Sequence, residues 1–531
     1  MYLLTSTNSN VDVFGNTVSM TYLGTGAFYG MYASGFGSSG TTNTVNFYNN
    51  SIINNTVPNY TSGTVYCIYI STGGVNANFY GNNVSGNTFG GGASATATGT
   101  IYYTYFASSP TTAGTTNMYN NTVSNNARIQ SVLGSGTTYV FYNGGSGNVF
   151  NEYNNTINNI TLASTGTAYV FYNLFSGVTK NVYNNTISNI NNANTTVYTI
   201  YNGNGTGAGY FYNNKIQNIT MNSASGTLYG VYQSSGVNQF YYNNYISELY
   251  APAATGNPAI YGMYLSGSTT LGAFNNTIYL NASSTGAAFG VTGIYASTSP
   301  DVTLRNNIVI NNSTPGATGR VVAYQRSSTT LTTYNNLSNN NDFYAGTPSS
   351  NRLIYYDGTN SDQTLDAFKS RVSPRDASSI TEVPPFVNVV SMPYNLHIQT
   401  TIPTQCESGG ATVSAPVNII DDYDGNPRYP NAGYPDNANS PAAAPDIGAD
   451  EFGGLALDIT PPNILFTPFV NTSVTGNRTL NTTITDPSGV PTAGIGLPVL
   501  YWKINSGSFT PVTATYLGPN QYSFTFGAGA V

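Results

Sequence analysis

Short runs of five to seven apolar and aromatic residues alternate along most of the chain with polar stretches of Gly, Ser, Thr and Asn. TVYCIYIS (64–71), TYVFYN (138–143), AYVFYN (168–173), TIYNGN (199–204), TLYGVYQ (227–233) and AIYGMYL (259–265) are the clearest. Runs of this length and composition, bounded by turn residues, predict β-strands. A shorter strand pattern follows each run and leads to an Asn pair, and a TIxNI-like segment comes after the pair. One unit therefore offers three strands in about 30 residues, with no 3.6-residue periodicity or helix-capping pattern between them. Such a unit buries its apolar side only by stacking on its neighbours. The pattern predicts an all-β chain wound as a parallel β-helix.

The unit is legible as a repeated phrase: NFYNNSIINN (46–55), NMYNNTVSNN (117–126), NEYNNTINNI (151–160), NVYNNTISNI (181–190), YFYNNKIQNI (210–219), FYYNNYISEL (240–249) and AFNNTIYLNA (273–282). Taking the first Asn of each pair as a marker gives Asn49, Asn82, Asn120, Asn154, Asn184, Asn213, Asn243, Asn275 and Asn306. A degenerate copy at Asn16 and a last one at Asn335 bring the count to about eleven three-stranded coils. A sharp bend between strands needs a residue that tolerates left-handed backbone angles, and stacked Asn amides can bond one another from coil to coil, so the marked residues are expected to form a structural ladder. At about 1 kcal/mol net per satisfied hydrogen bond, that ladder is a major stabilising term. The other use of these side chains would be contact with a ligand.

Ile52, Val84, Val123, Ile157, Ile187, Ile216, Ile246, Ile278 and Ile308 follow the turn at a fixed offset and predict an inward aliphatic stack. In TVYCIYIS and TLYGVYQ two Tyr stand three apart, which on a straight strand places them on opposite faces. At least one Tyr per coil is then outside. Such a file either stacks on sugar rings or simply raises β propensity and shields the ladder.

Composition supports a folded rod. Charged residues make up only 6%, against about 25% in an ordinary soluble domain. The 45 Tyr and 24 Phe are too many for a disordered low-complexity chain. The net charge of −7 is uneven: residues 1–340 hold only Asp12, Glu152, Glu248 and Asp301 against six bases, and the tail carries the rest of the acids. No basic stripe exists to neutralise phosphates, which excludes nucleic acid as a partner. No apolar stretch approaches about 18 residues, which excludes a membrane-spanning helix. MYLLTSTNSN lacks the features of a signal peptide, and the chain stops at GAGAV inside a β-rich pattern, so it is read as a piece of a longer protein. Cys67 and Cys406 are read as unrelated thiols, which leaves the compartment open.

From about residue 340 the phrase gives way to Pro, Asp and Glu, separating repeats at 1–340 from a segment at 341–455. FVNVVSMPYNLHIQ, DDYDGNPRYPNAGYPDN and APDIGADEF follow one another over 386–452. This succession resembles the closing segment of Bacteroidota-type surface proteins with right-handed parallel β-helix repeats, in which a leucine-histidine strand leads to a DxDGxxR turn and a DIGAxEF ending. The SPAIDAG-type phrase usual after the His strand is replaced by TQCESGGATVSAP. The resemblance implies a right-handed helix whose end this segment caps. It also implies an extracellular or outer-cell-surface location, a type IX secretion machinery, and contact with glycans or other cells. Residues 456–531 look like the incomplete start of an Ig-like β-sandwich, with Trp502 in a central strand.

Candidate chemistry is sparse. Asp421, Asp422, Asp424 and Asn426 suit the bonding of turn amides, and Arg428 suits pairing with Asp446, Asp450 or Glu451. The same oxygens offer a calcium reading, although the bidentate Glu of an EF-hand is missing. No other cofactor is implied. His397, the sole histidine, stands in the alternating strand YNLHIQ with no Ser or Cys motif nearby and is expected to be structural. Glycoside hydrolysis needs two carboxylates about 5–9.5 Å apart, and the four acids of the repeats show no such pairing; Lys215 and Glu248 read as a surface ion pair. The scattered Thr do not form the regular file of an ice-binding helix. The sequence thus implies no catalytic residue and a structural or adhesive segment, the alternative being a polysaccharide lyase or hydrolase on a β-helix. Its ligand-binding residues are not fixed by the sequence.

Overall fold

The structure, a computed structural model, describes all residues except 8–9, 37–42, 74–75, 93–97, 109–113, 130–133, 204, 471–475, 487–488 and 528–531. Strands from Tyr2–Thr7 to Arg352–Tyr356 pair in parallel with their equivalents one coil on, forming a parallel β-solenoid of about 10 turns. One turn shows the layout: Thr167–Asn173 lies on a first face, Ser176–Tyr183 on a second and Thr186–Asn192 on a third. Thr138–Tyr153 and Thr227–Tyr242 each run unbroken through the first two faces, so these merge into one 21-stranded sheet; the third face is a 14-stranded sheet. The apolar interior is continuous from Val13 to Val372. The predicted aliphatic stack runs in register from Ile52 to Ile278 but continues into Val309. Ile308 pairs with Thr277 and faces outward, a one-residue offset that exchanges the faces of a strand.

The C-terminal end of the solenoid is closed by a short helix, Leu365–Val372, begun by Thr364, whose hydroxyl accepts the Ala367 N–H. Its buried face, Leu365, Phe368 and Val372, joins the core. Phe368 packs against Tyr355, Phe343 and Tyr324 at ring distances of 5.1, 5.8 and 6.2 Å. Among the described residues, this helix is the one departure from the all-β reading.

The expected DIGAxEF end cap lies elsewhere. Residues 385–455 fold back along the side of the last coils, where Phe386, Tyr394, Leu396, Ile398, Ile447, Ala449 and Phe452 cover the outward Tyr245, Tyr279, Ile308 and Ile310. Val413, Val417 and Ile419 cover Phe240 and Phe274 in the same way. The segment is a lateral clamp because these coils carry apolar groups at positions that are polar in earlier coils: outward Asn181 is replaced in register by Tyr210 and then Phe240.

Residues 457–531 form a separate unit. It holds a four-stranded antiparallel sheet (Asn463–Phe466, Arg478–Thr485, Gln521–Phe526, Thr515–Gly518) and a two-stranded one (Val499–Trp502, Thr510–Thr513) around Ile484, Ala514, Tyr522 and Phe524. Trp502 is therefore not in a central strand: its strand pairs only with Thr510–Thr513 among the described residues, and its ring rests 5.5 Å from Phe526.

Candidate functional site

Each corner between the second and third faces divides two tasks between the two Asn of a pair. Asn49, Asn120, Asn154, Asn184, Asn213, Asn243, Asn275, Asn306 and Asn340 hold φ between 51° and 57°, so the first Asn makes the left-handed bend; Gly15 and Gly81 take the same place with φ 66° and 64°. The ladder runs through the second Asn. Asn16 Nδ2 donates to Asn50 Oδ1, and the bond repeats through Asn82, Asn121, Asn155, Asn185, Asn214, Asn244, Asn276, Asn307 and Asn341 at 2.8–3.1 Å. Each amide also bonds main chain, as when Asn155 donates to Met118 O and accepts the Asn121 N–H. Of the expected ladder residues, only Asn82 belongs to it, because Gly81 occupies the turn before it. The other eight sit one residue early, and Asn335 is replaced by Asn340–Asn341 as the last pair.

Other Asn rows run along the solenoid beside this ladder, among them Asn143, Asn173 and Asn202 on the first face. Asn55, Asn87 and Asn126 form a buried one at 2.8 Å spacing, and Ile160, Ile190, Ile219 and Leu249 succeed them in register. On the outside of the second face, Asp12, Asn46, Asn78, Asn117, Asn151 and Asn181 are linked at 2.7–2.9 Å.

On the first face two tyrosine files run side by side. Tyr2, Tyr32, Tyr69, Tyr105, Tyr142, Tyr172, Tyr201, Tyr232, Tyr264 and Tyr295 follow one another at ring distances of 4.4–5.3 Å. Tyr29, Tyr66, Tyr102, Tyr139, Tyr169, Tyr198, Tyr229 and Tyr261 follow at 4.8–5.6 Å. Rings meet edge to face across the files, as Tyr102 and Tyr105 do at 5.3 Å and 87°. The expectation of opposite faces fails because the strand is bent. Pairing goes from Tyr66↔Tyr102 to Ile68↔Thr104 and passes over Cys67 and Tyr103, so two successive residues point inward and the flanking tyrosines both point out. The sequence signal was the repeated pair between them: CI, VF, TI, GV and GM. A third file, Phe14, Tyr48, Tyr80, Tyr119, Tyr153, Tyr183, Tyr212 and Tyr242, lines the second face at 4.8–5.0 Å.

Burial and then the neighbouring phenols push Tyr66, Tyr69 and Tyr139 up to about 12. At neutral pH these hydroxyls are donors, and the face is polar without charge.

The repeat-region carboxylates stand away from this face. Asp12 accepts from Asn46, and Asp301 accepts from Asn335. Glu152 is fully buried inside the solenoid below Asn143 and Asn173, where burial raises its carboxyl to about 8 and lowers the nearby Lys180 ammonium to about 8. Glu248 is buried beneath the clamp and accepts the Tyr394 N–H; it makes no surface ion pair with Lys215, because Tyr394 and its neighbours cover it.

In the Asp-rich turn, Asp422 accepts the main-chain N–H groups of Asp424, Asn426 and Glu451 and the Asn426 side chain. Asp421 contributes its main-chain carbonyl to Asn243 and Arg428, and Asp424 turns away to His397. The four residues proposed for calcium therefore share a turn without converging their side chains. Arg428, nearly fully buried, bonds Glu451 at 3.0 Å and also Asn243 and Gly448. His397 is hydrogen-bonded on both ring nitrogens, to Asn395 and Asp424. Cys67 and Cys406 are buried free thiols.

Together these features define a parallel β-solenoid with internal Asn ladders, a lateral clamp and an aromatic outer face. No family model, curated protein or solved structure matches the chain.

Proposed function

We propose that this chain is a non-catalytic, adhesive rod within a secreted or cell-surface bacterial protein, and that its first face binds extended carbohydrate. The observation that carries this reading is the pair of adjacent tyrosine files, continuous over most of the solenoid, with protonated hydroxyls beside flat apolar rings. Tyr offers a sugar an apolar face and a donor at low ordering cost. A linear glycan lying along the solenoid axis would meet the same pair of rings at every coil, so many weak contacts add. The resemblance of residues 386–452 to Bacteroidota-type surface proteins supports export through a type IX machinery, with further modules such as an Ig-like one beyond the clamp. A polysaccharide-cleaving enzyme is disfavoured by the four repeat-region acids, none of which stands on the twin-tyrosine face.

A glycan array tests this. Binding to linear glycans that falls at least tenfold in Tyr139→Ala/Tyr142→Ala, and is unchanged in Tyr153→Ala on the second face, supports the proposal. Equal loss in both variants, or no binding by the parent chain, overturns it. Shortening of any bound polysaccharide would establish the enzyme instead.

A further inference from the structure

Three segments far apart in sequence bring ligand-type atoms together on the lateral clamp. His397 lies on the strand Asn395–Ile398, Asp424 in the Asp-rich turn and Asp450 in the DIGADEF motif. A ring nitrogen of His397 and one carboxylate oxygen of each Asp all lie within 4.8 Å of one another. Tetrahedral ligands about 2.0–2.2 Å from a zinc ion stand about 3.3 Å apart. His397 and Asp424 at 2.7 Å are closer than that and the cluster spans up to 4.8 Å, so the partly exposed His397 and Asp424 side chains would shift to close it on one ion.

The imidazole is already oriented. Asn395 Oδ1 accepts the His397 main-chain N–H, which identifies it as the oxygen, and the same atom bonds His397 Nδ1. A carbonyl only accepts, so Nδ1 carries the proton. Nε2 then faces Asp424 Oδ2 at 2.7 Å with a lone pair, and either a second proton or a cation must stand between them. An Nδ1–H bonded to a carbonyl is how metal-bound imidazoles are held. Asp450 is fixed on the other side by the Ile398 N–H at 2.9 Å.

A second observation comes from the solenoid. Tyr245 is 2% exposed, and its hydroxyl has no hydrogen-bond partner among the described residues. Its ring packs 5.3 Å from the His397 imidazole, and its hydroxyl stands in the field of Asp450 and Asp424. A buried hydroxyl left without a partner is destabilising, so its position beside the carboxylates calls for one.

We propose that His397 Nε2, Asp424 and Asp450 bind one divalent transition ion of the zinc type, with the Tyr245 hydroxyl closing the buried side of the site. One imidazole and two carboxylates form a borderline donor set, unlike the six to eight oxygens that calcium takes. His397 and Asp424 keep 35% and 43% of their side chains exposed, which leaves an entry path and a position for water. The ion would staple the His strand, the Asp-rich turn and the DIGADEF motif to the coil that carries Tyr245.

The test uses zinc itself on the full chain after chelator treatment, with calorimetry and metal analysis after dialysis. Background is low, since His397 is the only histidine and both cysteines are buried. One zinc per chain is expected, with Kd raised at least tenfold by His397→Ala and by Asp424→Asn, and less by Tyr245→Phe. Asp424 is half exposed, so its variant remains informative if His397→Ala does not fold. X-ray absorption should show a nitrogen and oxygen shell without sulfur. Absence of saturable binding, unchanged binding in His397→Ala and Asp424→Asn, or displacement of zinc by equimolar calcium would each overturn the site, leaving an imidazolium–carboxylate bridge.

Discussion

Asn341 donates its side-chain amide to Asp376 at 3.0 Å, and with that bond the Asn ladder ends on a carboxylate. Every rung points the same way, from each Asn to the next coil, so the last amide needs an acceptor that has nothing to pass on. Asp376 meets that need and also accepts from Ser379 and Tyr334. Removing it orphans three buried donors. Asp376→Ala is expected to cost about 3 kcal/mol by urea denaturation, while Ser370→Ala on the exposed side of the neighbouring helix stays within about 0.5 kcal/mol.

The same carboxylate makes the end of the rod pH-sensitive. Burial raises Asp376 to about 6. An acid raised on folding gives its stabilisation below the unfolded pKa of about 3.9 and loses it as pH rises through the folded value. The coils beside Asp376 should therefore exchange amide hydrogens less readily, relative to intrinsic rates, at pH 4.5 than at pH 7.5. Asp376→Asn should flatten that difference, and a difference that survives the substitution would assign it to another group.

The division of labour within the Asn pair separates two substitutions at adjacent positions. Asn155→Ala breaks the rungs to Asn121 and Asn185 and leaves buried main-chain groups unpaired, for an expected cost of about 2–4 kcal/mol. Asn154→Gly is expected to stay within about 0.5 kcal/mol, since Gly81 fills the same left-handed position in another coil. Thermal or denaturant unfolding of the two variants checks the order; a larger loss in Asn154→Gly would return the ladder role to the first Asn.

These corner residues show what the sequence could and could not reveal. The period, the three strands per coil and the inward aliphatic stack were readable because they recur with fixed spacing. The identity of the ladder residue was not, since two adjacent Asn repeat with the same period and only Gly81 breaks the tie. The bend between Tyr66 and Tyr69 is a backbone irregularity that straight-strand alternation misplaces by half a period. The helix Leu365–Val372 has a capping Thr and apolar residues at spacings of three and seven, but it is a single two-turn element in a segment that no longer carries the repeat. The convergence of His397, Asp424, Asp450 and Tyr245 depends on tertiary folding of the clamp and left no local trace.

Inside the solenoid, Glu152 and Lys180 are both buried and both pushed toward neutrality, Glu152 up to about 8 and Lys180 down to about 8. For Glu152 the sign is that of Asp376: its contribution is lost as pH rises toward 8. For Lys180, lowered on folding, stability is regained only as pH rises above 8 toward its ordinary value. A minimum of stability near pH 8 follows. Glu152→Leu/Lys180→Met should remove that minimum and leave the protein as stable or more so, as replacing buried charge with apolar groups often does. A pH series of denaturation midpoints for the parent and the double variant measures it, and a double variant that keeps the minimum would show that other groups set it.

Phe368 bears most directly on how the rod is terminated. It is fully buried and packs against Tyr324, Phe343 and Tyr355, covering the last coil where the solenoid core would otherwise meet water. Truncating a buried Phe costs about 3–5 kcal/mol. The loss in Phe368→Ala should be local, because coils far from the end touch only their own neighbours. The helix also holds the short strand Ser361–Asp362, which pairs with the edge of Arg352–Tyr356, through Arg371 and Asp362. Loosening it frees that edge, and an exposed strand edge is a template for another chain. Phe368→Ala is therefore expected to lower the first unfolding transition while later ones hold, and to form end-to-end oligomers by sedimentation velocity. Unchanged unfolding and mass would mean that this helix does not protect the end.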